Sequence, residues 1–388
     1  MISKTKAAIY LIEFINSYAA VYYSNFLFFY LKRDFGFGGV ENLITAAFGG
    51  GLYVLAAWQG GKYAERRGCI RALYSGYSIV TLSLLTGLAI PISAVQVLTY
   101  GGFTIGICFT WPALEALISE RAGHRLADCV GLFNVIWAAG GSVGYFTTGL
   151  LLETLGMPSL FWLPVLLILA QTIILAYGST LRLKGNSDEN NEMSYDATVP
   201  LMARMGENRL FLRMAWFANP FSYVAINTVI PLIPSIAEKL GLTTGKAGII
   251  CSLWMFARLF AFAILWPWAR WHYNFKWLAG AFLLMIAAFF GFLTVSSIPL
   301  LIISEVCFGA SIGLIYYSSL YYSMNVSKGR STNAGIHEAV IGVGLFIGPA
   351  IGALTLYLSS AAASIDAWSV GGLLCTGFIG LFLIKKRN

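Results

Sequence analysis

The sequence predicts an all-α membrane protein of about twelve transmembrane helices, built as two pseudo-symmetric six-helix bundles. Three observations lead there: a composition poor in charge, long apolar runs along the whole chain, and a glycine-rich segment of the first half that returns in the second.

Of 388 residues, 58% are hydrophobic and 11% charged, and mean hydropathy is +0.74. A soluble domain carries roughly 25% charged residues. This chain cannot cover a water-facing surface of its size, so lipid must be the solvent for much of it. The 15% aromatic content and 41 glycines also suit membrane helices. A net charge of +8 is scattered in short runs with no basic face, which argues against nucleic acid as a partner. The six cysteines show no CxxC or metal-ligand spacing and read as small buried hydrophobes, so neither metal nor cofactor is implied.

Spans follow from a ruler of roughly 20 apolar residues per bilayer crossing. They fall at about 7–31, 41–59, 70–90, 94–118, 129–152, 158–178, 210–235, 247–268, 277–296, 299–324, 334–358 and 367–384. These runs are too long and continuous for the strands of an outer-membrane barrel. Lys4 and Lys6 precede the first run in the manner of a signal peptide. No cleavage site follows, so that run is expected to remain as a span.

Orientation comes from Lys and Arg. With both termini cytoplasmic, inner loops hold 20 of the 25 basic residues, while outer loops hold only Lys32, Arg33, Lys239 and Lys246. That bias fixes the orientation, and the chain is expected to be a multi-pass protein of a cell (inner or plasma) membrane. A polar stretch, 181–208, separates an N-terminal bundle (1–180) from a C-terminal one (209–388) and reads as a cytoplasmic linker. Shifting the sequence by 204 residues lays GLFNVIWAAGGSVGY (131–145) over GIHEAVIGVGLFIGP (335–349). Gly131, Gly140 and Gly144 then match Gly335, Gly344 and Gly348. Parallel repeats of this kind mark two-bundle transporters.

The loop after the second span, GKYAERRGCIR, carries Gly61, Glu65, Arg66, Gly68 and Arg71. It resembles the signature between the second and third spans of the major facilitator superfamily, departing from it at Cys69 and Ile70. The resemblance implies a conformational latch of an alternating-access cycle; a plain charged turn is the other reading. Gly344, Gly348, Pro349 and Gly352 look like the family's glycine-proline helix motif. The fifth span, with Ser142 and Tyr145 and no proline, lacks it, and the fourth lacks the family's common arginine. The resemblance implies a transporter that acts as a single chain.

Ionisable groups inside spans are expensive and therefore candidates for function. Glu13, with Asn16 and Ser17 on its face and Ala20, Tyr23 and Ser24 beyond, forms a polar stripe suited to carrying a proton or to pairing with a neighbouring helix. Glu115, Glu305, His337 and Glu338 are further candidates. Arg258, the one cation away from the ends of a span, needs an acid, an anionic substrate or water, and Glu305 or Glu13 are candidate partners. Asn219, Tyr223 and Asn227 in the seventh span and Tyr316 in the tenth supply hydrogen bonds and apolar contact. Pro220, Pro231 and Pro234 are expected to kink or unwind the seventh span.

These residues point to a secondary transporter of a small organic solute, coupled to protons. A non-transporting scaffold or receptor on the same fold is the alternative. An intramembrane enzyme is disfavoured, since no HExxH and no paired His-Asp constellation occurs within the spans, and an ATP-driven pump is excluded by the absence of a P-loop pattern.

Overall fold

The computed structural model describes residues 4–119, 126–185, 205–327, 331–359 and 367–387, and all regular structure among them is helical. The chain order is α1 (Lys4–Phe35), α2 (Gly39–Arg67), α3 (Cys69–Ala89), α4 (Ser93–Ser119), α5 (Leu126–Leu155), α6 (Ser159–Gly185) and α7 (Met205–Lys239). It continues with α8 (Thr244–Cys251), α9 (Leu253–Leu265), α10 (Phe275–Leu293), α11 (Ile298–Ser327), α12 (Ser331–Leu358) and α13 (Trp368–Lys386). Most of the polar linker, residues 186–204, lies outside the described residues.

Eleven spans are long and apolar enough to cross a bilayer, with α8 and α9 together forming one of them (Thr244–Leu265). α1 is the twelfth helix of spanning length at 32 residues, but it is more polar, being interrupted by Glu13, Asn16 and Asn25. Exposed leucines, isoleucines and phenylalanines such as Leu55, Leu82, Leu98, Ile173, Phe260 and Ile303 form the lipid-facing surface.

Helix ends are set by local chemistry. Glu41 accepts the Gly38 N–H at 2.8 Å to start α2, and Thr243 accepts from Lys246 N to start α8. Between α2 and α3 the reversal takes one residue, Gly68, at φ +91, a conformation that favours glycine. Gly61 does not share in that turn; it lies inside α2, seven residues earlier. Glu65, Arg66 and Arg71 are exposed at the junction.

One expectation about breaks is corrected. The three prolines of α7 do not unwind it but sit within one continuous helix. The break falls instead in the eighth span, at Ser252, between α8 and α9. It is held by a carboxylate from another helix: Glu305 on α11 accepts the Trp254 N–H at 3.1 Å, capping the N-terminus of α9.

The sequence repeat becomes a packing repeat. A Cβ on Gly140 or Gly144 of α5 would strike the carbonyls of Phe14 and Tyr18 on α1. One on Gly344 or Gly348 of α12 would strike those of Pro220 and Val224 on α7. Small residues let membrane helices approach to backbone contact, which supplies the van der Waals attraction that lipid cannot.

Between the halves, α2 crosses α12 and α5 crosses α8 and α9. Gly50 lies against the Leu345 backbone, Gly342 against Val54, and Gly149 against Thr244. At the end where α1, α5 and α7 finish, further ties cross between halves. Lys32 Nζ meets Glu238 Oε2 at 2.8 Å, Gly245 N donates to Glu153 Oε1 at 2.7 Å, and Asn42 Nδ2 donates to the Pro231 carbonyl at 3.3 Å.

Candidate functional site

Between the two halves lies a cavity of about 170 Å³ open to water-sized molecules. Its walls come from α1, α2, α4 and α5 on one side and α7, α9, α11 and α12 on the other. α3, α6, α10 and α13 contribute nothing to it. The α1 wall residues Ala20, Val21, Ser24 and Asn25 recur after 206 residues as Ile226, Asn227, Ile230 and Pro231 on α7. The same helical face therefore lines the cavity in each half.

Two ionisable groups face each other across the α2–α12 seam. Glu338 of α12 is 5% exposed and its Oε2 accepts a short hydrogen bond from the Tyr53 hydroxyl of α2. Glu115 of α4, half-buried, lines the same cavity.

Arg258 stands on the other seam. It is 2% exposed and its guanidinium lies 4.4 Å from the Trp137 ring of α5, 4.7 Å from Tyr316 and 5.5 Å from Phe262. Trp137 and Tyr316 are themselves stacked, at 5.5 Å and 10°. Arg258 Nη2 donates to the Tyr223 hydroxyl at 3.4 Å, while Nε has no hydrogen-bond partner. Neither Glu305 nor Glu13 makes an ion pair with it. Glu305 is occupied with capping α9, and guanidinium stacks on aromatic faces where no acid reaches it.

Of the sequence candidates, the cavity brings together Glu115, Tyr223, Asn227, Arg258, Tyr316 and Glu338. It leaves out Glu13, Asn16, Tyr23, Asn219 and Glu305. Helix geometry explains Asn16 and Tyr23, while Glu13 lies about two turns before Ala20, the first lining residue of α1. At about 100° per residue, the α1 cavity face centres roughly 50° to one side of Glu13, whereas Asn16 and Tyr23 lie about 60° and 80° to the other. Tyr23 therefore packs on Phe103 and Phe161 inside the first half. Glu13 is fully buried and accepts from Ser17 Oγ at 2.7 Å. The Trp111 indole, part of the cavity wall, approaches the Glu13 carboxyl without completing a hydrogen bond. Asn219 sits in the core of the second half beside Ser222. His337 lies in α12, with its side chain outside the described ones.

Tyr53 and Trp137 were missed by sequence reasoning. A signal for Trp137 existed: it lies one turn before Gly141, which meets Met255 of the other half. Tyr53 likewise lies one turn after Gly49 and three residues after Gly50, on the helix that crosses α12. Among the described residues no group of three or more His, Cys, Asp or Glu is placed to hold a metal ion.

A cavity walled by four spans from each half, with buried ionisable groups at both seams, defines the transporter class of multi-pass fold. A sequence profile of the Major Facilitator Superfamily matches residues 9–349, and the chain belongs to that superfamily. No curated protein sequence matches it. Solved structures similar to it include the nucleoside transporter NupG, at TM-score 0.70 and 14% identity, covering 99% of this chain and 100% of that one. A single-substitution variant of NupG gives TM-score 0.69 at 14% identity, with 99% of both chains covered. A bacterial homologue of the human lysosomal transporter Spinster, in an inward-facing and occupied conformation, gives TM-score 0.67 at 14% identity over 98% and 96% of the two chains.

Proposed function

We propose that this chain is a secondary active transporter that carries a small organic solute by alternating access and couples it to protons. One observation carries the reading: the central cavity is built from both halves, and its ionisable groups make their contacts across the seams that rocking of the halves would open and close. The solute would bind among Glu115, Tyr223, Asn227, Arg258, Tyr316 and Glu338. No bond-making chemistry is assigned to the site. Charge bias in the loops supports placing both termini on the cytoplasmic face of a cell membrane.

Coupling has a physical basis in the Tyr53–Glu338 bond. An ionised Glu338 holds the Tyr53 hydroxyl by a charge-assisted hydrogen bond, roughly twice as strong as a neutral one. A protonated Glu338 releases it more readily. Proton occupancy of one carboxyl thereby biases whether α2 and α12 stay together, the differential interaction that a population shift requires. Residues of the α2–α3 junction (Gly61, Glu65, Arg66, Gly68 and Arg71) would bias the same equilibrium from outside the cavity.

The test begins with a melting-temperature screen of purified protein against small metabolites, since a ligand of the folded state stabilises it by mass action. Hits are then followed into proteoliposomes under an imposed pH gradient. Accumulation should be gradient-driven in wild type and abolished in Glu338→Gln, with solute exchange at equal pH retained. If no hit crosses the bilayer in either direction, the chain is a scaffold or receptor on a transporter fold. If Glu338→Gln still accumulates solute, coupling through that carboxyl is wrong.

A further inference from the structure

Arg258 and Glu338 differ in how their charges are met. Glu338 is partnered by Tyr53, and Glu115 is partly exposed on the cavity wall. Arg258 is the group left short. It is 2% exposed, makes one long hydrogen bond to a neutral hydroxyl, leaves Nε unpartnered and has no carboxylate in ion-pair contact. A charge at that depth in a membrane is costly unless something pairs with it. Its guanidinium lies against the faces of Trp137 and Tyr316, while Nε, on the edge that forms two parallel hydrogen bonds to a planar acceptor, has no partner.

The cavity walls are aromatic: Trp254, Phe133, Phe103 and Tyr100 join Trp137 and Tyr316 around it. Flat apolar groups prefer such surroundings. One guanidinium balances one negative charge. A dianion such as a phosphate monoester would bring a second charge into a cavity that already holds the Glu115 and Glu338 carboxyl groups.

We propose that the cavity selects an organic monoanion, a carboxylate on a flat apolar body, with the carboxylate on the edge of Arg258 and the body between the aromatic walls. The inference rests on the transporter reading and names the solute class for that same cavity. Arg258 orients the anion, Tyr223 adds its hydroxyl beside it, and Trp137 and Tyr316 hold the guanidinium in place from opposite halves of the molecule.

A matched set on one ring body separates the possibilities: indole-3-acetate (anion), indole-3-acetamide (neutral isostere), tryptamine (cation) and tryptophan (zwitterion). Binding to the full-length purified protein is measured at neutral pH by melting temperature and calorimetry. Indole-3-acetate should bind, with the amide and amine at least tenfold weaker and tryptophan between them. Arg258→Gln should weaken indole-3-acetate about ten- to hundredfold, the loss of a hydrogen bond to a charged group, and leave the amide unchanged. Arg258→Lys, which keeps the charge and loses the fork, should fall between. The unliganded Arg258→Gln protein should melt no lower than wild type, which shows that any loss of binding is not loss of fold. The proposal is overturned if the amide or amine binds as tightly as the acid, if no member binds, or if Arg258→Gln binds indole-3-acetate normally. Transport is read separately in proteoliposomes. Saturable uptake of the amine alone would sink the anion inference and keep the transporter. Arg258-dependent binding of indole-3-acetate with no movement of any member would keep the anion site and sink the transporter.

Discussion

Two seams hold the halves together, and they are copies of each other. Gly50 of α2 meets Leu345 of α12; after shifts of 205 and 204 residues, Met255 of α9 meets Gly141 of α5. The same shifts turn the pair Tyr53–Glu338 into Arg258 and Asn134, and they place Trp137, which carries the Arg258 stack, opposite Ile341. Backbone geometry has been duplicated; chemistry has not. One seam is closed by a hydrogen bond to an acid that is satisfied on the spot. The other carries a cation resting on rings, with its Nε unpartnered. A rocking fold needs the same hinge surfaces twice, but a single solute needs its charge partner once. The asymmetry between the seams is therefore where specificity can reside.

The seams should break very differently under overpacking. A side chain on Gly50 would run into the Leu345 backbone, which cannot step aside, whereas one on Gly141 would meet side chains alone, the terminal methyl of Met255 and, at ordinary contact distance, Val21. Gly50→Val is expected to cost about 3 kcal/mol or more, read as loss of folded yield and melting temperature in detergent. Gly141→Ala should cost under about 1 kcal/mol. As a control, Gly280 of α10 has nothing within 4 Å, and Gly280→Ala should be neutral or stabilise by up to about 1 kcal/mol. Equal losses at Gly50 and Gly141 would deny that one seam is rigid and the other adaptable.

The charges should respond with opposite signs. Tyr53→Phe leaves a buried carboxyl oxygen of Glu338 without its donor and should destabilise the protein by about 1–3 kcal/mol. Arg258→Met keeps the apolar stem over Trp137 and removes an unpaired charge, so the empty protein should be unchanged or more stable. Melting temperatures of both variants without ligand decide this. A drop in Arg258→Met as large as in Tyr53→Phe would mean that Arg258 is structurally paired and the seams are chemically alike.

How much of this was legible in the sequence depends on the range of the interaction. Twelve spans and the crossing glycines rest on run length and helical spacing, both local, and Gly140, Gly144, Gly344 and Gly348 pack where the pattern put them. The α8–α9 break was not legible, because its stabilising group, Glu305, comes from 51 residues away to cap the Trp254 N–H. Prolines in α7 pointed to the wrong helix for the same reason: neighbouring helices and side chains can absorb the hydrogen bonds a proline frees. Arg258 stood out as a lone cation, but its partners could not be read, since acids were expected and rings were found. Glu13 was placed on a polar stripe with Asn16, Ser17, Ala20, Tyr23 and Ser24, but the cavity begins only at Ala20, about two turns on, and Glu13 is buried below it against Ser17.

The junctions that follow each seam helix differ too, and pH sharpens that difference. After α2 the chain turns at Gly68 among exposed arginines. After α9 it passes through an aromatic knot in which His272 stacks on Tyr321 at 4.1 Å and Trp271 donates to the Leu265 carbonyl at 3.2 Å. Burial pushes the His272 imidazole below its usual value, which is about 6.5. The unfolded chain therefore binds a proton that the folded chain resists, and stability rises with pH across that window. His272 contributes fully above about pH 6.5, and that contribution is lost as pH falls below it. His272→Phe keeps a ring on Tyr321 and cannot titrate. The melting-temperature gap between wild type and this variant should widen against wild type from pH 7.5 to 5.5. A gap that does not change with pH would show that the imidazole titrates alike in both states.

The smallest effect belongs to the ion pair that joins the halves at the end where α1 and α7 finish. Lys32 and Glu238 meet at 2.8 Å with side chains 28% and 71% exposed. Water and salt screen such a pair, and exposed pairs are typically worth about 0.2–1 kcal/mol. The neighbouring tie is built differently: Glu153 Oε1 accepts from Gly245 N at 2.7 Å at the start of α8, where the helix dipole adds to the bond. Lys32→Ala should therefore shift the melting temperature within about 0.5 kcal/mol, and the shift should vanish at high salt. Glu153→Ala should cost about 1 kcal/mol and keep most of that cost in salt, because its partner is a fixed backbone dipole in a partly buried site. If the two losses matched and both disappeared with salt, this end of the interface would be held by surface charge alone, and its closure would depend on the ionic strength outside the membrane rather than on α8.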